Sequence, residues 1–410
     1  MKILVLNAGS STQKCAVFDF NAASDEVISP IWEGRIEWSQ AFASVTTRSK
    51  THQSPEERIP VGPTNDHIGV TRRMLEGIWT GPGAVVSSAR EIDLVGHRIV
   101  HGGPYLRETV VVSPKTKHLI ESAAPFAPLH NQMELEGVNL CEEIFSHAQQ
   151  VAVFDTSFHR TMPQFATLYP GPYEWAKKGI FRYGFHGINH EYCAKRAASM
   201  LHRDLSSPKL VTCHLGNGCS LAAIADGKSV DTTMGFTPLD GLMMGTRSGA
   251  IDPAILIYLA QRCDLSPEQI DSVLNYESGL LGISGHSSDM REIVRQMKEG
   301  HPRSRLAFDM FIHILCKGIA AMAAAINGMD VLVFTAGIGE NSPDVREAAC
   351  NRLSFLGVKI DLEKNISPRG DNDLSAADSS VRILKIRAQE DWAIARECSN
   401  LRQESTRTVQ

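Results

Sequence analysis

Seven short apolar runs, each ending in a turn-rich segment, constrain this chain most: residues 3–6, 15–20, 94–100, 151–154, 210–215, 221–224 and 331–334. Such runs look like buried strands. Helical patterns lie between them. The clearest, over 304–327, places Leu306, Met310, Ile314, Ile319, Met322 and Ile326 on one face. Ser266-Pro267-Glu268-Gln269 combines a cap, a first-position proline and a capping-box glutamine. Asn341-Ser342-Pro343 opens another helix, for Gly357 to close. Alternating strands and helices indicate an α/β architecture. At 410 residues, 43% of them apolar, the chain exceeds what one core usually supports, so two domains are expected.

Two segments resemble each other: ILVLN-AGSST-QKCAVFDF-NAAS near the start, and LVTCHL-GNGCS-LAAIA-DGKS in the middle. A structural duplication would give two similar halves facing each other across a cleft, although two ordinary hairpins produce the same likeness. Segments 44–66 and 367–380 are polar, turn-rich and patternless, and read as surface loops or insertions.

A formal net charge of −5 with no long run of one sign argues against a nucleic-acid partner. Nine cysteines are scattered without a CxxC pair, which points to a reducing compartment and against a disulfide framework or structural zinc. The opening apolar run is too short for a secretory signal, and 318–326 is too short to span a bilayer. A cytoplasmic location away from membranes is the expectation.

Several loops carry groups suited to phosphate chemistry. Asn7-Ala8-Gly9-Ser10-Ser11-Thr12-Gln13-Lys14 offers backbone N–H groups, hydroxyls, an amide and a lysine, though a hairpin turn with a surface lysine is the plainer reading of that loop alone. His214-Leu215-Gly216-Asn217-Gly218 adds a second such loop, whose glycines allow close backbone approach. Phe334-Thr335-Ala336-Gly337-Ile338-Gly339-Glu340-Asn341 reads as a third glycine-rich turn, suited to a flat adenosine ring. Phosphoryl transfer also needs cations for developing charge and groups that hold metal and acceptor. Arg98 ends a buried strand beside glycines, where an arginine can clamp a carboxylate or form a structural ion pair. Asp155 follows the 151–154 strand, as a site acid or a cap. His186 sits between glycines, and Arg247 lies in the apolar, unperiodic run 231–253.

The series NAGSST-x-K, GHRIVHGG, APLHN, VFDTSFH-x-TMP, YGFHG, HLGNG, MGFTPLDGLMMGTRSG, SGLLGISG, FTAGIGEN and EDWAIAR, spanning about residues 3 to 396, resembles the acetate and propionate kinase family of the actin, hexokinase and heat-shock ATPase superfamily. The resemblance implies two similar actin-like, ribonuclease H-like α/β domains facing each other across an active-site cleft. It assigns 1–150 plus about 388–410 to the first domain and 151–387 to the second. It implies ATP and ADP as co-substrates, Mg²⁺ with Mn²⁺ as a substitute, acetate and propionate as acceptors, and a homodimer. Residue by residue, it gives Asn7 and Glu390 to the metal, Lys14 to the nucleotide and Arg98 to the acceptor carboxylate. Asp155 becomes the acid/base candidate, more suited to orienting an acceptor that is already ionised. His186 and Arg247 match transition-state stabilisers. Nucleotide contacts fall on His214, Leu215, Gly216, Asn217 and Gly218, on Asp289, Met290 and Arg291, and on Gly337, Ile338, Gly339, Glu340 and Asn341. Val100, Leu129, Phe185 and Pro238 correspond to the pocket around the acyl methyl.

The chain departs from that pattern at Gln13, at Gln132-Met133-Glu134, at Ile188-Asn189, at Ala250 and at Arg387-Ala388-Gln389. A propionate-preferring kinase is the near alternative. A nucleotide-gated protein without catalysis would share the phosphate loops but would not need Arg98, Asp155, His186 and Arg247 together. Cys219, inside the second phosphate loop, is the cysteine to suspect of reactivity, with a buried apolar role as the plainer one.

Overall fold

The computed structural model describes residues 1–8, 12–20, 26–39, 41–61, 67–124, 128–366 and 370–408, without the side chains of 8, 128–130 and 405–408. The chain is α/β with two sheets and divides into two compact units, Met1–Ser157 with Gln389–Gln410 and Phe158–Ala388. The division falls after Ser157, not at 150, because the strand Gln149–Phe154 pairs within the first sheet. The strands are β1 (Lys2–Ala8), β2 (Thr12–Asp19), β3 (Trp32–Trp38), β4 (Phe42–Ser49), β5 (Glu57–Pro60), β6 (Leu94–Ile99), β7 (Val110–Val111), β8 (Gln149–Phe154), β9 (Leu210–Leu215), β10 (Cys219–Ala225), β11 (Lys228–Thr232), β12 (Val331–Thr335), β13 (Asn372–Asp373) and β14 (Arg382–Lys385).

In the first unit the sheet order is β5-β4-β3-β2-β1-β6-β8-β7, and in the second β11-β10-β9-β12-β14-β13. Six positions correspond strand for strand. In each sheet the leading hairpin is antiparallel, its first strand pairs parallel with the next central strand, that strand pairs parallel with another, and a two-residue antiparallel strand closes the edge. The two similar segments are thus the leading hairpins of a repeated sheet. The first unit adds β4 and β5 at its other edge.

Those two strands correct the reading of 44–66 as loop. The edge strand β5 buries none of its residues, and β4 beside it buries only Ala43 and Val45, so neither carries a strong apolar pattern. Residues 62–66 lie outside the described residues, as do 367–369 of the other segment read as loop. In that segment β13 forms, and Leu374 and Ser375 are buried.

Helices His67–Glu76 and Pro128–Ile144 cover one face of the first sheet, where Leu4, Leu6, Val17, Trp32, Met74 and Phe145 share a core. Helix Glu390–Thr408 packs against β1 and β6. Gly96 permits that approach: a Cβ there would lie 2.7 Å from Cys398 Sγ and 2.9 Å from Ile394 Cγ2. In the second unit, helix Pro302–Ala325 packs on β9, β10 and β11, and helix Gly187–Met200 on β9 and β12. In its second half the long helix buries the predicted Ile319, Met322 and, at its C-terminal cap, Ile326, whereas in its first half Phe308, Phe311, Ile312 and Leu315 are buried, Met310 and Ile314 are half-buried and Leu306 is exposed. A sequence apolar around most of its circumference does not fix which stripe meets the sheet. By length and composition this helix could span a membrane, but half of its most apolar window is buried within the protein.

Candidate active site

In the first unit, the ends of the parallel strands gather the polar side chains, where open α/β sheets place their sites. Registers Leu6↔His97 and Ile99↔Phe154 bring the residues that follow, Asn7, Arg98 and Asp155, to one end of the sheet. Arg98 Nη2 donates to Asp155 Oδ2 at 2.7 Å, and Nη1 lies 3.4 Å from Asn7 Oδ1. Asp155 is 1% exposed and Arg98 13% by side chain. Burial opposes the guanidinium charge, yet Asp155, Glu390 and Glu134 outweigh it and hold Arg98 firmly protonated.

Asn7 Nδ2 donates to Asp391 Oδ1 at 2.9 Å and Glu390 Oε2 at 3.4 Å, so the start of the Glu390–Thr408 helix closes the group. Burial raises the Asp391 pKa, while the Asn7 hydrogen bond and Lys14 pull it back. Lys14 itself is exposed on β2. Among the described residues no three Asp, Glu, His or Cys side chains form a closed metal cage. Adjacent carboxylates with one amide still suit Mg²⁺, which accepts one or two protein carboxylates and completes its shell with water and phosphate oxygens.

Sequence reading singled out neither Asp391 nor the part played by Glu134. Glu134, 4% exposed, accepts the Val100 N–H at 3.1 and 3.2 Å. Burial pushes its pKa up to about 8 against the lowering effects of Arg98 and that N–H. With Gln13 and Met133, it places three of the chain's departures around one pocket with Arg98. Buried Gln13 is satisfied there by Thr71 Oγ1 at 3.1 Å.

In the second unit, three elements converge on the β9–β10 turn. A Cβ at Gly218 would stand 3.5 Å from His186 Nε2 and 3.6 Å from Arg247 Nη1, so the turn, the histidine and the arginine share one point. His186 precedes the Gly187–Met200 helix in a left-handed conformation, φ 56°, uncommon outside glycine and a sign of local strain. Its ring stacks on His214 with centroids 3.9 Å apart and planes at 9°. Asn189 Nδ2 donates to His214 Nδ1 at 2.8 Å, which leaves the His214 hydrogen on Nε2. One of the departures thus orders a phosphate-loop ring.

The 231–253 run folds compactly against this turn. Gly245 N–H donates to the Asn217 carbonyl at 3.0 Å, and a Cβ on Gly245 would come within 2.1 Å of Asn217 Oδ1. Arg247 Nη1 lies 3.5 Å from the Pro238 carbonyl, and burial lowers the Arg247 pKa. Cys219 is fully buried, its Sγ 3.3 Å from the Gly216 carbonyl, and burial pushes its pKa up to about 12.

The third glycine-rich segment is a six-residue helix, Ala336–Asn341, where a turn was expected. Asn341 Nδ2 donates to the Gly337 carbonyl, and a Cβ at Gly337 would meet nothing within 4 Å. Asp289 caps helix Met290–Lys298 by accepting the Arg291 N–H, and it pairs with the Arg291 side chain. Val100 is buried in the first unit and Phe185 in the second, where Pro238 is half-buried. The Leu129 side chain lies outside the described residues, as do Gly9, Ser10 and Ser11 of the first loop.

Residues 2–396 match the Acetokinase family. An acetate kinase of Nostoc punctiforme is 50% identical over 402 residues, 97% of this chain and 98% of that protein. The crystal structure of acetate kinase from Porphyromonas gingivalis matches at a TM-score of 0.88 and 36% identity, covering 98% of this chain and 99% of that one. A propionate kinase from Francisella tularensis matches at a TM-score of 0.88 and 37% identity, covering 97% and 99%.

Proposed function

Given that the chain belongs to the Acetokinase family, we propose that it transfers the ATP γ-phosphate reversibly to acetate, giving acetyl phosphate and ADP. It is a phosphotransferase with a carboxyl group as acceptor. The convergence of His186 Nε2 and Arg247 Nη1 on Gly218 carries the conclusion, because in-line phosphoryl transfer needs fixed donors around a point that only a phosphoryl group should fill.

Two sets of groups carry the reaction in this proposal. In the first, Arg98 grips the acceptor carboxylate, and Asp155 holds the guanidinium in place. Acetate is already ionised at neutral pH, so no base has to remove a proton. In the second, the His214–Gly218 turn cradles phosphate through backbone N–H groups, and His186 and Arg247 stabilise charge on the equatorial oxygens. Asn7 and Glu390 would hold Mg²⁺, which supplies charge neutralisation at the phosphates when bound. Gly337 supports an adenosine contact on its open face.

Propionate is a second acceptor in this proposal. One methylene in an apolar pocket discriminates by only about 1–3 kcal/mol, and the propionate kinase structure matches at the same TM-score as the acetate kinase structure, 0.88. Helix Ala254–Arg262, which buries none of its residues and exposes Ile255, Ile257 and Tyr258, supports a homodimer. All nine cysteines are free thiols, which supports a cytoplasmic location.

Incubation with ATP, Mg²⁺ and acetate, propionate or no carboxylate, with hydroxylamine trapping the acyl phosphate, tests the assignment. Acyl hydroxamate should form with both acids. ADP release without hydroxamate would overturn it.

A further inference from the structure

Behind His186 runs a chain of buried hydrogen bonds that the transfer itself does not use. His186 Nδ1 is 2.8 Å from Ser220 Oγ, Ser220 Oγ is 2.8 Å from His190 Nε2, and His190 Nδ1 is 2.7 Å from Thr212 Oγ1. Ser220, His190 and Thr212 are each fully buried. We propose that Thr212, His190 and Ser220 are positioning residues that order protons along this chain and hold His186 as a neutral imidazole with its hydrogen on Nε2.

Counting donors decides the direction. Among the described residues the Thr212 hydroxyl has one hydrogen-bond partner, His190 Nδ1. A buried hydroxyl that donates to nothing is costly, so Thr212 donates there. Neutral His190 has one N–H, now on Nε2, and it donates to Ser220 Oγ. Ser220 has one O–H, which is left to donate to His186 Nδ1. That nitrogen is therefore an acceptor, and the His186 hydrogen lies on Nε2, the atom near Gly218. Protonating His186 on Nδ1 would strand a buried hydroxyl, that of Ser220 if both rings donate to it or that of Thr212 if every link reverses.

The surroundings favour the same state. His190 is kept neutral by burial, and then by His159 and His214. His186 is faced by the stacked His214 ring from β9, by Arg247 across Gly218 and by His190 from its own helix, with no carboxylate among these groups. His159 packs edge-on to His190 with centroids 5.7 Å apart. The consequence is a donor whose strength does not vary across the pH range in which free histidine titrates.

The inference rests on the role given to His186 above, and its test is separable from that role. ¹⁵N-histidine NMR of the full chain, with His186 assigned by its loss in His186→Gln, should show a protonated Nε2 and an unprotonated Nδ1 from about pH 6 to 8, around the usual histidine pKa. Thr212→Val should mix the two tautomers, lower kcat on the order of tenfold with KM for both substrates unchanged, and add a pH limb to kcat. Thr212→Ser should restore the wild-type pattern. Should Thr212→Val fail to fold, Ser220→Ala serves, with the same loss of a single tautomer expected. A hydrogen on Nδ1 or an imidazolium in the wild type would overturn the proposal, as would an unchanged tautomer and kcat profile in Thr212→Val. Absence of any acyl phosphate from the wild type would refute the reaction assigned above and leave the NMR result to judge the chain.

Discussion

Replacing Gly218 by alanine should abolish most phosphoryl transfer while leaving the fold intact. The added methyl would meet His186 Cε1 and Nε2 at 3.5 Å and Arg247 Nη1 at 3.6 Å, which is ordinary van der Waals contact, and Gly218 is not among the positive-φ glycines. The cost to stability should stay within about 0.5 kcal/mol, as for substitutions that create neither cavity nor clash. The same methyl fills the point where a phosphoryl oxygen must come within about 3 Å of both donors. Losing two charge-assisted hydrogen bonds, at about 1.5–3 kcal/mol each, lowers transition-state stabilisation by about 3–6 kcal/mol, or roughly 10²- to 10⁴-fold in kcat. Coupled-assay kcat and a urea melt on one preparation measure both sides. A Gly218→Ala variant with near wild-type kcat would refute the placement of the transferring group. A variant that melts early would refute the claim that the glycine is there for the ligand.

Gly337→Ala should raise KM for ATP and leave the melt unchanged, since its Cβ meets only open space in the protein; an unaltered KM would remove the adenosine from that helix. The folded-state pKa of Glu134, about 8, lies above its unfolded value of 4.5. Between those values the folded chain keeps a proton that the unfolded chain has lost, so stability falls as pH rises through the window and the loss is complete above about 8. Glu134→Gln keeps an acceptor for the Val100 N–H, and its urea midpoint relative to wild type should climb from pH 4.5 to about 8; a pH-independent difference would contradict the buried neutral carboxyl. Iodoacetamide should label exposed Cys263 and spare Cys219 with or without ATP. ATP-protected labelling of Cys219 would show a reactive thiol at the phosphate turn.

What the sequence made legible follows from burial. All seven apolar runs form strands because most of their positions are buried, with Asp19 and Arg98 among the polar exceptions. The paired hairpins were legible for the same reason, whereas their continuation into six matching strands was not, since parallel pairing such as β1 with β6 leaves no local mark. Ser44 and Arg58 pair across β4 and β5 without an apolar face to announce it. At the site, Arg98, Asp155, His186 and Arg247 stood in recognisable segments. Glu134, Asp391, His190 and Ser220 were missed because their roles depend on residues far along the chain: Val100, Asn7, Thr212 and His186 respectively. The one local signal was the i, i+4 spacing of His186 and His190, which sets both rings along one helix edge.

The claim that Arg98 clamps the acceptor is tested most directly by steady-state kinetics of Arg98→Lys with acetate and with ATP. Lysine keeps a charge opposite Asp155 but loses the planar fork. The account predicts kcat/KM for acetate lowered on the order of 10²-fold, with KM for ATP and the melting temperature close to wild type. Unchanged acetate kinetics, or a loss confined to ATP, would contradict it.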